Sequence, residues 1–360
     1  MGRANNLREF QAALARQDIP CTNIVYADRE HNILYISNGT FPVRSAEYNW
    51  QGVLPGNTAK TLWPDQYHPI EENPQVLNPS SGYVFNTNNT PYSSTGTADN
   101  PNYDQDDRVN GYQSPGTQNN RSMRFMELIA QYDSLSYDDF RTIKYDVQYP
   151  QQLQSVQIIN LELVLSLSPD DFPDYAEPID LLNNWNRRCN AANTTAPLFL
   201  LTFYHLNEKL KSEDRFKRGG VIVESDVIAA LDIAQTELLS KFGTFTPKLS
   251  DLMRHTRGDV SLPVEGGTDL LAAMYGKKQD DGSYRVVAGE SYIQMVRFQS
   301  DTLPIIETIN AYGTSAEPDS PHYADQMSLF TEQKLKPMTL SLDEVMAQSV
   351  KSYHPMRVVE

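Results

Sequence analysis

The chain has 360 residues, enough to bury a sizeable core, and length alone allows one to three domains. Charged residues make up 21% and hydrophobic ones 39%, the composition of an ordinary globular protein rather than a disordered one. The net charge of −16 leaves no basic surplus to release counterions, which argues against a nucleic-acid partner, and no run approaches the roughly 18 apolar residues of a membrane span.

In chain order, Leu7, Phe10, Ala13 and Leu14 fall at helical spacing and predict a helix over residues 5–16, ended by Asp18-Ile19-Pro20. No apolar leader follows Met1-Gly2-Arg3. Residues 22–27 and 32–37 are β-rich and flank Asp28-Arg29-Glu30-His31, which predicts a hairpin. Residues 40–75 are loop, punctuated by Pro42, Pro55, Pro64, Pro69 and Pro74.

Turn chemistry at Asn78-Pro79-Ser80-Ser81-Gly82 leads into a short β-prone run, Tyr83-Val84-Phe85. That run delivers Asn86, Asn88 and Asn89 to a point where Pro91 stops further ladder pairing. On a strand, Asn86 and Asn88 share one face and Asn89 takes the other. A carboxamide held at a strand end can aim its N–H at a developing oxyanion. The alternative is a polar turn whose Asn side chains bond their own backbone. The polar stretch 92–120 is long for a loop inside a domain, a length associated with function or motion.

From Arg121 the pattern turns helical. Met123, Met126, Leu128 and Ile129 share a face, and Ser136 reads as the N-cap of a second helix. Residues 151–167 are apolar without a clean period, and their length favours helix. Helical patterning recurs at 178–188, 197–211 and 224–242, which predicts a Leu-rich helical layer. Residues 283–288, 291–298 and 304–312 read as strands. Their imperfect alternation predicts burial on both faces. Residues 341–352 close the chain as a short helix.

Several chemistries find no support. His31, His68, His205, His255, His322 and His354 are scattered, with no metalloprotease pairing. No Gly-x-Ser-x-Gly elbow, P-loop or dinucleotide glycine pattern occurs. Asp170-Asp171 and Asp280-Asp281 read as turn residues, which weighs against glycan hydrolysis by paired carboxylates. Cys21 and Cys189 fit neither zinc nor redox spacing; two buried free thiols are expected, with a disulfide as the alternative.

Four groups of residues occur in an order that resembles one family. They are Tyr26-Ala27-Asp28-Arg29-Glu30-His31-Asn32-Ile33; Asn38-Gly39-Thr40-Phe41-Pro42-Val43-Arg44 followed by Trp50-Gln51-Gly52-Val53-Leu54-Pro55; the Asn-rich run ending at Pro91; and His322-Tyr323-Ala324-Asp325-Gln326. The sequence resembles the C-terminal part of the β chain of the penicillin G acylases and acyl-homoserine-lactone acylases, which are N-terminal nucleophile hydrolases. The likeness is strong up to Arg121, weak between about 130 and 250, and firm again from Arg257.

The resemblance implies an α+β fold, the C-terminal portion of an αββα sandwich. Residues 1–120 would form a strand and loop region with the oxyanion Asn, 121–250 a helical region, and 251–360 strands and a closing helix. A strand–turn–helix passage is implied at Arg257–Pro263 and Asp269–Ala273. The implied activity is hydrolysis of an acyl amide, penicillin-type or N-acyl-homoserine-lactone-type, through an acyl-enzyme. Asn88 would be the oxyanion donor and Arg121 the orienting residue, with Asn89 and Arg124 as neighbours that compete for those roles. No cofactor is implied for catalysis. Pro42, through its carbonyl, and Asp99, through its carboxylate, match two positions of a structural calcium site whose remaining ligands lie upstream. The nucleophile, the α chain and the N-terminal part of the β chain would be the partners of this stretch, which the resemblance makes a fragment, inactive alone. The implied location is periplasmic or secreted. The alternative function is a non-catalytic interaction or scaffold protein of the same fold.

Overall fold

In the computed structural model, the described residues are 1–352 apart from Pro20, Gln51, 103–115, 117, 216–218 and 301. Much of the long loop after Asp99, and His354, therefore lie outside the described residues.

Helix α1 (Leu7–Leu14) starts where the Asn6 side chain accepts from the Glu9 N–H, an N-cap that satisfies one of the orphan donors of the first turn. Strands β1 (Thr22–Ala27) and β2 (Ile33–Asn38) form the expected antiparallel hairpin, with Val25 opposite Tyr35. Its turn is closed by Asp28, whose Oδ1 accepts the N–H groups of Glu30 and Asn32. The Tyr-Ala-Asp signature is thus a turn device. Strand β3 (Gln75–Leu77) pairs with β2 to complete the first sheet. Residues 83–85 form no strand; they correct the sequence expectation. The reason is local: Phe85 N–H donates to the Ser94 carbonyl and Thr95 Oγ1 to the Tyr83 carbonyl, so the segment's polar backbone is satisfied by its own loop.

Helices α2 (Asn120–Ile129) and α3 (Tyr137–Lys144) each begin in a capping box, Asn119 with Ser122 and Ser136 with Asp139. The expected helix over 151–167 is absent. A two-residue strand, β4 (Ile158–Ile159), and a 3-10 turn at Leu161–Leu165 stand there. Asn160, in left-handed backbone at φ 68°, separates the two. Helices α4 (Ala176–Asn183) and α5 (Ala196–Ser212) follow, then strand β5 (Gly220–Val221), parallel to β4, and helix α6 (Glu224–Phe242). Leu198 through Leu201 are all fully buried, so α5 starts inside the core with no solvent face. On α6, Val227, Ala230, Leu231, Ala234 and Leu238 form one buried stripe. It ends at Gly243, whose φ of 69° suits the left-handed cap position that favours glycine.

After a short helix, α7 (Leu249–Leu252), come β6 (Met253–Arg257), β7 (Val260–Pro263), β8 (Met274–Lys278) and β9 (Tyr284–Gly289), in the sheet order β7-β6-β9-β8. The implied helix at Asp269–Ala273 is instead a turn between β7 and β8. Gly266, at φ 101°, and Asp269, at φ 57°, hold backbone that a helix cannot use. Strands β10 (Tyr292–Arg297) and β11 (Ile305–Asn310), helix α8 (Met327–Thr331), strand β12 (Lys336–Met338) and helix α9 (Leu342–Gln348) complete the chain. Strands β9 and β10 are buried on one face only: Tyr284, Val286, Ile293 and Met295 point inward while their neighbours are exposed. This corrects the two-faced burial expected from sequence, because Val287, Tyr292 and Val296 are apolar yet exposed.

One core joins the helical layer to the C-terminal strands. It runs from Tyr149 through Phe199, Leu206 and Leu231 to Ile293, Ile309 and Phe330. The His322 group acts in packing. His322 Nδ1 meets Asp325 Oδ2 at 2.9 Å, and Tyr323 stacks under Arg257 at 4.2 Å. Both cysteines are free, but Cys21 is exposed, contrary to expectation: it precedes the start of β1, where Thr22 and Asn23 are exposed as well.

Candidate active site

The Asn-rich loop is held by its own side chains. Asn89 is buried, accepts from the Thr87 N–H and hydroxyl, and donates to the Thr90 and Ser93 carbonyls. Its amide is fully engaged in scaffolding. Asn119, the cap of α2, donates to the Thr87 carbonyl at 3.0 Å and ties the loop to the helix. The chain then turns through Asn88 in left-handed backbone, φ 60°, with its N–H on Asn86 Oδ1 at 3.1 Å. The turn leaves the Asn88 side chain exposed.

Arg121, in the first turn of α2, reaches Asn88. Its Nη1 donates to Asn88 Oδ1 at 3.1 Å, and its Nε donates to Asp269 Oδ1 at 2.9 Å. Asp269 Oδ2 accepts the Asn120 N–H at 2.9 Å. Guanidinium is a donor only, so the atom of Asn88 that faces it must be the carbonyl oxygen, and the NH2 group is turned the other way. Burial pushes the Asp269 carboxyl up and Arg121 opposes that shift. Arg124, one turn on, is committed elsewhere: its Nε and Nη2 grip Asp146 at 2.9 and 3.0 Å.

Asn88, Arg121 and Tyr275 stand between two cavities and line both. One, of about 660 Å³, is apolar, with Phe85, Phe125, Ile129, Phe140, Ile143 and Leu271 on its wall. Phe85 and Phe125 are stacked at 4.2 Å. Lys144 and Glu290 form an ion pair at its margin. At Gly289 a Cβ would collide with the Ala273 carbonyl, so glycine is needed for that wall to close. The other cavity, of about 860 Å³, is the more polar of the two: Asn119, His205, Lys211, Thr268, Lys277 and Lys278 share its wall with aromatic residues such as Phe203 and Tyr204. Burial raises the Tyr275 phenol, and the charge of Arg121 opposes that shift.

Sequence reasoning named Asn88 and Arg121 and did not name Asp269, Tyr275 or the cavity walls. The signal for Asp269 was Gly266-Gly267-Thr268-Asp269, a turn cluster hidden by the apolar run after it. Pro42 pairs with Tyr67 as an isolated bridge, while Asp99 Oδ2 accepts from the Ser80 hydroxyl and the Ser81 N–H. Those bonds hold the Asp99 carboxyl below its usual value. No group of three or more His, Cys, Asp or Glu that could hold a metal gathers among the described residues. Calcium takes about six to eight oxygens, so these two residues do not by themselves make a site.

The molecule is thus a mixed α+β protein in which a loop carboxamide, oriented by an arginine–aspartate pair, faces an apolar and a polar cavity. It belongs to the penicillin amidase family, whose profile matches residues 1–347. A penicillin G acylase from Escherichia coli is 38% identical over 89 residues, 25% of this chain and 10% of that protein. The acyl-homoserine lactone acylase PvdQ from Pseudomonas fluorescens is 27% identical over 144 residues, 38% of this chain and 18% of that protein. The matched stretches are a small part of those relatives. The solved structure of a thermostable penicillin G acylase from Alcaligenes faecalis superposes with a TM-score of 0.57 at 17% identity, over 99% of this chain and 71% of that one. That likeness bears on the fold. No helix among the described residues is long and apolar enough to cross a membrane.

Proposed function

We propose that this chain carries the oxyanion side of an acyl-amide hydrolase of the penicillin or acyl-homoserine-lactone acylase type, whose nucleophile lies on polypeptide outside it. The observation that carries the reading is the placement of Asn88: Arg121 holds its oxygen, which turns the NH2 group away from the guanidinium, and the residue lines both cavities. In the first step the nucleophile adds to the amide carbonyl and its proton passes to a base. The carbonyl oxygen becomes an oxyanion and accepts from Asn88 Nδ2. Collapse breaks the C–N bond, the amine leaves with a proton, and an acyl-enzyme remains. Water then repeats the addition and releases the carboxylic acid. Arg121 does not touch the reacting atoms in this scheme. It fixes the amide of Asn88 and is itself fixed by Asp269.

The apolar cavity suits the acyl chain and the polar one the departing amine, because each half then meets walls of its own polarity. The α chain and the first part of the β chain are the partners the family supplies. Calcium at Pro42 and Asp99 would need further oxygens from those partners. The family resemblance supports a periplasmic or secreted setting.

The test is to assay the 360-residue chain alone and joined to the in-frame polypeptide encoded upstream, using a phenylacetyl anilide and an N-acyl-homoserine lactone. Turnover only in the joined form is the expected result. Turnover by the chain alone, or none by the joined form with either substrate, overturns the reading.

A further inference from the structure

Three residues line both cavities: Asn88, Arg121 and Tyr275. The first two serve the oxyanion in the proposed hydrolysis, and the third has no part in it.

Tyr275 stands where the strand passes from one cavity to the other. Ala273, Tyr275 and Lys277 are alternate residues along β8 and its approach; Ala273 lines the apolar cavity, Lys277 the polar one, and Tyr275 both. The ladder between β8 and β9 is irregular at this point. Tyr275 pairs with Ala288 and Gly276 with Val286, so Val287 is left over. Such a bulge re-aims the side chains beside it. The backbone is also pinned: the Gly276 N–H donates to the Tyr204 hydroxyl at 3.0 Å, and a Cβ on Gly276 would come within 3.0 Å of the Tyr284 Cβ. The tyrosine is thus carried on a fixed stretch of strand, the kind of element that can hold another group in place.

Its phenol meets the anchor of Arg121. The Asp269 N–H is aimed at the Tyr275 hydroxyl oxygen and works against the rise that burial imposes on the phenol. No backbone carbonyl takes that N–H among the described residues. Asp269 holds left-handed backbone at φ 57°, a conformation that persists in a non-glycine residue where its neighbours impose it. In that turn its carboxylate accepts from Arg121 Nε with one oxygen and from the Asn120 N–H with the other, both at 2.9 Å. Arg121 then holds Asn88 Oδ1 at 3.1 Å.

We propose that Tyr275 is a positioning residue for the oxyanion donor: its hydroxyl accepts from the Asp269 N–H, fixes the turn that aims the carboxylate at Arg121, and through Arg121 fixes the Asn88 amide. This rests on the reading of Asn88 given above. Tyr275 itself does not touch the reacting atoms.

The test has two arms, both built on Tyr275→Phe, which removes one hydroxyl and keeps the ring. In the first, the Arg121 Nε–H resonance of the 360-residue chain is followed by 1H–15N NMR, assigned by its loss in Arg121→Lys. Tyr275→Phe should move that resonance and speed its exchange with solvent about tenfold, the loss of roughly one hydrogen bond. In the second, kcat and KM are measured in the joined enzyme for the parent, Tyr275→Phe, Asn88→Gly and the double variant. Tyr275→Phe should lower kcat about tenfold in the parent with KM little changed, and less than about twofold in Asn88→Gly, where the group it positions is gone. A merely structural role would lower kcat by the same factor in both backgrounds. Equal factors, or an Arg121 resonance that Tyr275→Phe leaves in place, overturns the proposal. The NMR arm needs no turnover, so a joined enzyme that cleaves neither substrate sinks the functional reading and leaves that arm to decide this one.

Discussion

Arg121 Nη1 and Asn88 Oδ1 are 3.1 Å apart, and 33 residues separate them in sequence. The bond decides which end of the Asn88 amide faces the cavities, because an arginine can only donate. A preorganised N–H costs no reorganisation when charge develops opposite it, which is why such donors weigh heavily in amide hydrolysis.

Removing that donor should lower turnover more than binding. Asn88→Gly tolerates the left-handed backbone at φ 60°, whereas Asn88→Ala adds a strain of about 1 kcal/mol. In the joined enzyme both should lose about 10²–10³ in kcat with KM little changed. A loss in Asn88→Ala alone would assign the effect to the backbone. Steady-state kinetics beside a melting curve separates the two.

Arg121→Ala should cost activity and stability together. It frees the Asn88 amide and strands Asp269, whose side chain is 15% exposed, at roughly 3 kcal/mol. Adding Asp269→Asn removes the stranded charge and keeps a residue that accepts left-handed backbone. The double variant should regain much of the melting temperature and none of the turnover. Arg121→Lys should recover stability better than activity, since an ammonium cannot hold both partners in the planar fork.

His255 gives a pH dependence with a definite sign. It is stacked on Tyr312 at 4.5 Å, its Nε2–H donates to the Ala311 carbonyl, and its Nδ1 is buried with no hydrogen-bond partner among the described residues. Burial holds its pKa below the ordinary 6.5. The unfolded chain then binds the proton first, so this contribution is complete above about pH 6.5 and is lost as pH falls toward the folded value. Melting temperatures of the parent should drop through that window, and His255→Gln should drop less. Parallel curves would show that His255 is not the group responsible.

The two thiols should differ in reactivity. Cys21 is exposed and Cys189 is fully buried, with its thiol pushed far up by burial. Mass spectrometry after maleimide treatment should find Cys21 labelled in the native protein, and Cys189 only after denaturant. Native labelling of Cys189 would mean the core around α5 opens readily.

Part of this arrangement could be read from the sequence and part could not. The caps of α2 and α3, the stripe on α6 and the hairpin around Asp28 depend on residues within a few positions of one another, and so leave a local pattern. The family resemblance singled out Asn88 and Arg121 as residues, but not the hydrogen bond between them. The run 83–85 misled because its β-prone side chains were overruled by hydrogen bonds to the Ser94 carbonyl and from the Thr95 hydroxyl that no propensity contains.

The sequence by itself determined the helices of the middle layer with clean periodicity and the hairpin around Asp28, and it offered Asn88 and Arg121 as candidates. Only the tertiary structure decided that Asp269, 148 residues from Arg121, would hold it, and that an apolar and a polar cavity would meet at Asn88. Periodicity and capping are set by neighbours along the chain, whereas a cavity wall is set by which distant surfaces pack, and the chain carries no local record of that choice.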